Sequence, residues 1–484
     1  MYRKRRLHKA PHSGAKKPRC FPEHEERPDQ EDPAEGLEFE DPYGDEYLSE
    51  EEIVHSEDSA EFGEEDLDDF GKLRLYETEK GELQAELAQG ETEVKQAKEV
   101  WKGDPRRLKK DEVLEFENAA YRLFYRSSVE WSCLSLDPVC APEVCTEFPY
   151  TVYVVSGSQA HDDVNKVYVM KWSELHRTQF DDESDSSESE EEELPEGDEA
   201  VIEYEEFKHE GAVNRIRVMA DRGVVATWSD GGAVTVFDIS AQLAKLYENG
   251  PRIKKKAQEL ARFEYSTEGY AIEWGLEGRL YAGNDHLHVY QPSGPSWTEV
   301  ASYSGHQGSI EDIQKSPVEP SVFASCSCDK TIKVWDIRTA RTDSQLTISE
   351  AHTRDVNVIS WNPLETSQIA SGSDDGSFKV WDLRFANKQA AFIQWHSDSI
   401  TSIGWNPQDS SELAVSSADD RLTVWDLAVE DDAEVEEGYP SQLLFIHQGQ
   451  EDIKELRYHP QYAFIMSTAV GGFNLLQPNI TEDA

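Results

Sequence analysis

Three stretches of this 484-residue chain repeat one spacing. His306, Asp329 and Trp335-Asp336 form the first set, His352, Asp375 and Trp381-Asp382 the second, and His396, Asp419 and Trp425-Asp426 the third. In every set the histidine precedes the aspartate by 23 residues and the tryptophan by 29, and the sets recur after 46 and 44 residues. Self-similarity at such a period means one small unit, copied, that cannot bury its apolar face alone and must stack on its neighbours. Short strand-like runs such as SFKVWD, separated by turn residues, make that unit a small antiparallel sheet.

The spacing and the Trp-Asp ending resemble the WD-repeat blade of a β-propeller. In such blades the histidine, a strand Ser or Thr, the turn aspartate and the tryptophan form a buried hydrogen-bonded chain. Buried imidazole and indole groups need partners, since each unpaired one costs kilocalories. Ser325 and Ser371 occupy the strand position four before the aspartate, whereas Val415 stands there in the third set, so that chain is expected to be incomplete. Weaker copies flank the three: His209 leads to Phe237-Asp238, EGYAIEW leads to Tyr290, and YTVYVVSG leads to Trp172. A last copy, from LLFIHQGQ to GFNLLQP, lacks the Asp and Trp. The expected fold is therefore all-β, a seven-bladed propeller over residues 129–480. A ring closes best when both chain ends share one blade, and VEWSCLSLD (129–137) is the expected closing strand. Before it, residues 111–128 read as a helix, with Asp111 as N-cap and Val113, Phe116, Ala120 and Phe124 on one stripe.

The net charge of −51 is concentrated in blocks. Residues 21–70 hold 23 Asp and Glu against Arg27 alone, residues 181–199 hold 12 acidic residues and no basic one, and EDDAEVEE (430–437) holds six. Blocks of like charge repel themselves and stay solvated, so 21–110 is expected to be disordered, and 181–199 and 430–440 to be loops between strands. Such acidity repels phosphates and argues against direct nucleic-acid binding; it favours a cationic protein, the plain alternative being a solubility device. Residues 1–20 form a basic tail, in which RKRR and KKPR resemble a bipartite nuclear import signal. No apolar run approaches the roughly 20 residues of a membrane span.

Catalytic chemistry has no foothold in the sequence. The regular histidines each sit beside their own Asp and Trp, and no HExxH, phosphate-binding or nucleophile-elbow motif occurs. The six cysteines show no metal-ligand spacing, and Cys326 and Cys328, two apart in a strand-like run, are expected to pack on one side. No cofactor or metal is expected. Ser187 and Ser189 each precede a glutamate by three residues, the pattern of an acid-directed kinase site. Arg338 and Arg384 follow the blade aspartates in WDIR and WDLR, which resembles a paired motif for docking a cullin ligase adaptor; the alternative is an arginine bridging neighbouring blades.

Specific strings extend the likeness. VWKG (100–103), AYRLFYR (120–126), CLSLD (133–137), EGYAIEW (268–274), VFASCSCDKTIKVWDIR (322–338) and LLFIHQG (443–449) resemble the glutamate-rich WD-repeat proteins, from about Val100 to the C-terminus. That resemblance implies a non-enzymatic, monomeric chaperone of the nucleus and nucleolus, able to shuttle from the cytoplasm. It would escort a basic large-subunit ribosomal protein to pre-ribosomal particles. A more distant likeness to histone-binding propellers implies histones as alternative partners and places the client between the N-terminal helix and the loop before LLFIH. The candidate contacts are then Asp431, Asp432, Glu434, Glu436 and Glu437, with Leu123 and Phe124 as apolar floor.

Overall fold

The computed structural model describes residues 117–480 except 161–163, 180–199, 220–221, 248–255, 295, 340–342, 387 and 431–438. Seven four-stranded antiparallel sheets follow one another along the chain. Their innermost strands are Cys133–Val139, Val213–Met219, Ala271–Trp274, Ile310–Lys315, Val356–Trp361, Ile400–Trp405 and Glu455–Tyr458, which define blades 1 to 7. Each innermost strand packs on the next, and the last packs on the first, so the ring is closed.

The strand sequences explain the radial order. Second and third strands, such as Val322–Ser327 and Ala233–Asp238, are buried along nearly their whole length. Each blade is covered on both faces by its neighbours, which is why these runs are continuously apolar or small rather than alternating. Seven hydrophobic clusters among the described residues fill the seven seams between blades.

The closing strand is not the expected one. Tyr121–Ser128 pairs with Gly472–Pro478 and completes blade 7, while Cys133–Val139 opens blade 1. The helix expected over 111–128 is therefore replaced by strand from Tyr121 onward; Asn118–Ala120 is a single 3-10 turn, and 111–116 lies outside the described residues. The physical reason lies in adjacent side chains. In a strand Leu123 and Phe124 point to opposite faces, Leu123 into the seam with blade 1 and Phe124 into the seam with blade 6. Both faces of this strand are therefore buried, which a one-sided helical stripe cannot achieve. Gly472 permits the pairing: its φ is +138°, and a Cβ there would collide with the Ser127 carbonyl oxygen.

Candidate functional site

The repeated residues assemble as buried relays. In blade 4 the Trp335 indole donates to Ser325 Oγ at 2.8 Å, and Ser325 stands 2.7 Å from His306 Nε2. His306 Nδ1 then reaches Asp329 at 2.9 Å. Blade 5 repeats this through Trp381, Ser371 and His352, but Ser377 bridges His352 Nδ1 (3.0 Å) to Asp375 (2.5 Å). Burial alone would raise the carboxyls of Asp329 and Asp375. For Asp329 that is outweighed by donors from His306, Thr331 and the Gln307 N–H, and for Asp375 by Ser377 and Thr353, so both sit far below the usual carboxylate range. His352 is held neutral, its pKa lowered to about 4 by burial and by Lys379.

Blade 6 corrects the expectation of an incomplete relay. Thr423, on the strand paired with that of Val415, accepts from the Trp425 indole at 2.7 Å and lies 3.0 Å from His396 Nε2. His396 Nδ1 meets both oxygens of Asp419 at 3.1 and 3.2 Å. The relay is intact with its hydroxyl supplied from across the pair. In blade 1, by contrast, the Trp172 indole N–H is buried without a partner among the described residues. These relays join strands within their own blades and leave the histidines and tryptophans inaccessible, so their role is to fix blade geometry.

Of the anticipated client contacts, Leu123 and Phe124 are buried in two different seams and form no open floor. Phe124 stacks on Tyr121 with ring centroids 4.6 Å apart, and Tyr121 meets Phe445 edge-on at 5.2 Å. The Tyr121 hydroxyl lies 2.7 Å from His447 Nδ1, and the other ring nitrogen of His447 lies 3.0 Å from the Asn474 amide. This aromatic group locks the closing strand to the outer strand of blade 6, Leu443–His447. Burial lowers the His447 pKa to about 4.

Asp431, Asp432, Glu434, Glu436 and Glu437 lie outside the described residues, as do Ser187 and Ser189, the basic tail 1–20, the region 21–110 and the tract 181–199. The base of the blade 6 connection is described, and it is pinned. Ser441 Oγ donates to the Glu430 carbonyl at 2.8 Å, and the Gln442 amide donates to the Val429 carbonyl at 3.2 Å. The chain leaves and re-enters blade 6 at a fixed point beside the seam that Tyr121 and Phe124 close.

Arg338 and Arg384 do not bridge blades. Each guanidinium folds onto the aspartate two residues earlier, Arg338 Nη2 at 2.8 Å from Asp336 and Arg384 Nη2 at 2.6 Å from Asp382, with side chains 61% and 64% exposed. Cys326 is buried, but Cys328 lies in the turn beyond the strand and donates to Glu311, so the two thiols do not pack as a pair. Among the described residues no group of three or more His, Cys, Asp or Glu could hold a metal ion.

A buried ion network on the innermost strands escaped the sequence reading. Glu455 of blade 7 accepts from Arg215 and Arg217 of blade 2, each at 2.7 Å, and from Ser135 and the Leu136 N–H of blade 1. Asp137 of blade 1 pairs with Arg457 at 2.9 Å and accepts the Val218 N–H at 2.7 Å. Burial would raise the Glu455 carboxyl, but the guanidiniums of Arg217, Arg215 and Arg457 prevail and hold it at about 2; burial does push Asp137 up. The network ties blades 7, 1 and 2 together where the chain ends meet. Its sequence signal is a charged or polar pair at i and i+2 on an inner strand, as in Arg215/Arg217, Glu455/Arg457 and Ser135/Asp137.

Comparison with known proteins places this architecture. Residues 111–176 match the family model described as histone-binding protein RBBP4 or a component of the CAF1 complex, and 297–336, 343–382 and 387–426 match the WD domain, G-beta repeat. The chain is 40% identical to glutamate-rich WD repeat-containing protein 1 of Dictyostelium discoideum, over 87% of this chain and 94% of that protein. It is 32% identical to the ribosome assembly protein rrb1 of Schizosaccharomyces pombe, over 91% and 92%. Identity to the Arabidopsis thaliana protein HEAT STRESS TOLERANT DWD 1 is 36%, over 78% and 91%. With the closed seven-bladed ring, the relays and these full-length matches together, the chain belongs to the glutamate-rich WD repeat-containing protein family.

Proposed function

We propose that this protein is a non-enzymatic assembly factor of ribosome biogenesis that shelters a basic large-subunit ribosomal protein in the nucleus and nucleolus until it joins pre-ribosomal particles. The observation that carries the reading is the pinned connection of blade 6. A rigid ring holds the ends of a stretch whose sequence, EDDAEVEE, has six carboxylates in eight residues. The similarity to a relative named a ribosome assembly protein supports it. Carboxylates at high local density stand in for rRNA phosphates, neutralise cationic extensions of the client, and yield to rRNA because it offers more charge. Attraction of this kind weakens with salt, as screening acts within about 8 Å at physiological ionic strength.

The test is binding of purified basic large-subunit ribosomal proteins to the full chain between 50 and 300 mM salt. One of them is expected to bind with 1:1 stoichiometry and lose affinity as salt rises. Reversing Asp431, Asp432, Glu434, Glu436 and Glu437 to lysine is expected to weaken it at least tenfold. Unchanged affinity in that variant removes these residues from the site, and salt-independent binding removes the mechanism.

A second reading, a histone-binding chaperone, is favoured by the match of residues 111–176 to the histone-binding family model. Core histones in the same titration separate the two. Docking of a cullin ligase adaptor through Arg338 and Arg384 rests on their exposure in two successive blades.

A further inference from the structure

The outer strand of blade 1, Val201–Lys208 (VIEYEEFK), stands apart from the other six outer strands. It pairs with Lys166–Leu175 along its whole length on one side. Its other side is a sheet edge, where alternate N–H and C=O groups face outward without a neighbouring strand. Proteins commonly blunt such edges with charge, and Glu203, Glu205 and Glu206 alone would be that protection. The apolar residues are not explained by it. Val201, Ile202 and Tyr204 are 47, 37 and 59% exposed, three of the thirteen exposed large hydrophobic residues among those described, and no other strand exposes more than one. Clustered exposed apolar side chains on a soluble surface mark an interaction site.

The charges select the occupant. Glu206, Glu203 and Glu205 each contact a lysine of this chain, Lys166 at 3.1 Å, Lys171 at 3.2 Å and Lys245 at 2.5 Å, in every case through Oε2. A carboxylate accepts at both oxygens, so Oε1 of each is available to a second cation. Pairing with a second copy in the antiparallel register that matches the two strands end to end would set Glu203 against Glu206, a like-charge pair that destabilises a sheet, between two chains of net charge −51. A cationic strand meets no such penalty.

We infer that the Val201–Lys208 edge is a docking strand for an extended basic segment of a partner protein, which adds to blade 1 as a fifth strand. The partner's backbone supplies the pairing, apolar side chains cover Val201, Ile202 and Tyr204, and lysine or arginine meets Glu203, Glu205 and Glu206. For an antiparallel guest this fixes the order Lys-Lys-Val-Lys-Ile-Val, read against Glu206 back to Val201. The inference rests on the proposed function only for the partner's positive charge.

The test uses the full chain at 150 mM salt and a glycine-flanked Lys-Lys-Val-Lys-Ile-Val peptide. Two further peptides carry N-methyl groups on alternate amides, one on the odd and one on the even residues. All three have equal charge and side chains, but methylation of the edge facing the protein abolishes strand pairing. One methylated peptide is expected to bind at least tenfold more weakly than the parent and the other about as well. Threonine at positions 201, 202 and 204 together is expected to weaken the parent tenfold with an unchanged melting temperature. Equal binding of all three peptides overturns the inference, and this arm does not depend on the variant folding. Ribosomal-protein binding, measured in parallel, keeps the two readings apart. Peptides that fail beside a bound ribosomal protein sink only this inference, whereas strand pairing without any ribosomal client sinks only the proposed function.

Discussion

The Trp425 indole donates to Thr423, two residues earlier on its own strand, whereas the indoles of Trp335 and Trp381 donate to serines on the neighbouring strand. Thr423 and Val415 are register partners, so the hydroxyl has moved across one rung of the ladder while His396 and Trp425 keep their places. Thr423→Val would leave two buried polar groups without their partner, at a cost of roughly 3 kcal/mol. Adding Val415→Ser to that variant restores a hydroxyl at the position used by blades 4 and 5 and is expected to recover more than half of the loss. Urea denaturation of the single and double variants measures both.

Glu455 joins blades 7, 1 and 2 through Arg215, Arg217, Ser135 and the Leu136 N–H. Glu455→Gln leaves two guanidiniums without their counter-ion and is expected to destabilise the ring by roughly 3 kcal/mol at pH 7. Its folded pKa of about 2 lies below the ordinary 4.5. The stabilisation is therefore fully present above pH 4.5 and is lost as pH falls toward 2. The gap between wild type and variant should shrink across that window.

Histidine gives a second, higher window. His447 and His459, both buried, have pKa values lowered to about 4 from 6.5. A base with a depressed folded pKa stays neutral in the native state while the unfolded chain takes up protons below pH 6.5, so stability is lost from pH 6.5 down toward 4. Each group contributes up to roughly 3 kcal/mol, at about 1.4 kcal/mol per pKa unit. Denaturation at pH 7, 6 and 5 should show the decline, and the ring carbon–proton NMR signals of both histidines should not titrate above pH 5.5.

Ser441 and Gln442 pin the blade 6 connection through single hydrogen bonds to Glu430 and Val429. Replacing both with alanine removes two partly exposed bonds, worth about 1 kcal/mol or less together in stability. Affinity for a cationic client is expected to fall three- to tenfold through faster dissociation, because the loop's ends are no longer held in place. Surface-plasmon measurements of both rates decide it.

Arg338→Ala and Arg384→Ala each remove an exposed pair to a neighbouring aspartate, and such pairs are worth at most about 1 kcal/mol. The double variant should melt within two or three degrees of wild type. A loss of adaptor binding in that variant would then report a contact and not a folding defect.

The relays were legible in the sequence because hydrogen-bond geometry fixes their spacing, and the blade count followed from the same period. The Thr423 substitution was missed although a mark of it was present: lysine stands two before the tryptophan in IKVW and FKVW, where LTVW has threonine. The closing strand was read as helix because apolar residues at 113, 116, 120 and 124 fit a helical stripe, and periodicity alone cannot separate a helix from a strand buried on both faces. The ion network was hidden for another reason. Its partners are 238 residues apart in the chain, as for Arg217 and Glu455, and only ring closure brings them together.

The pairing of Tyr121–Ser128 with Gly472–Pro478 also sets a timetable for synthesis. The first strand of the ring leaves the ribosome some 350 residues before the strand it must join, an interval of roughly 20–70 seconds at ordinary elongation rates. During that interval Leu123 and Phe124 have no seam to fill, and the nascent chain carries an unpaired apolar edge that only termination can retire. A protein that shields others from premature contacts thus passes through a stage in which it needs the same shielding itself.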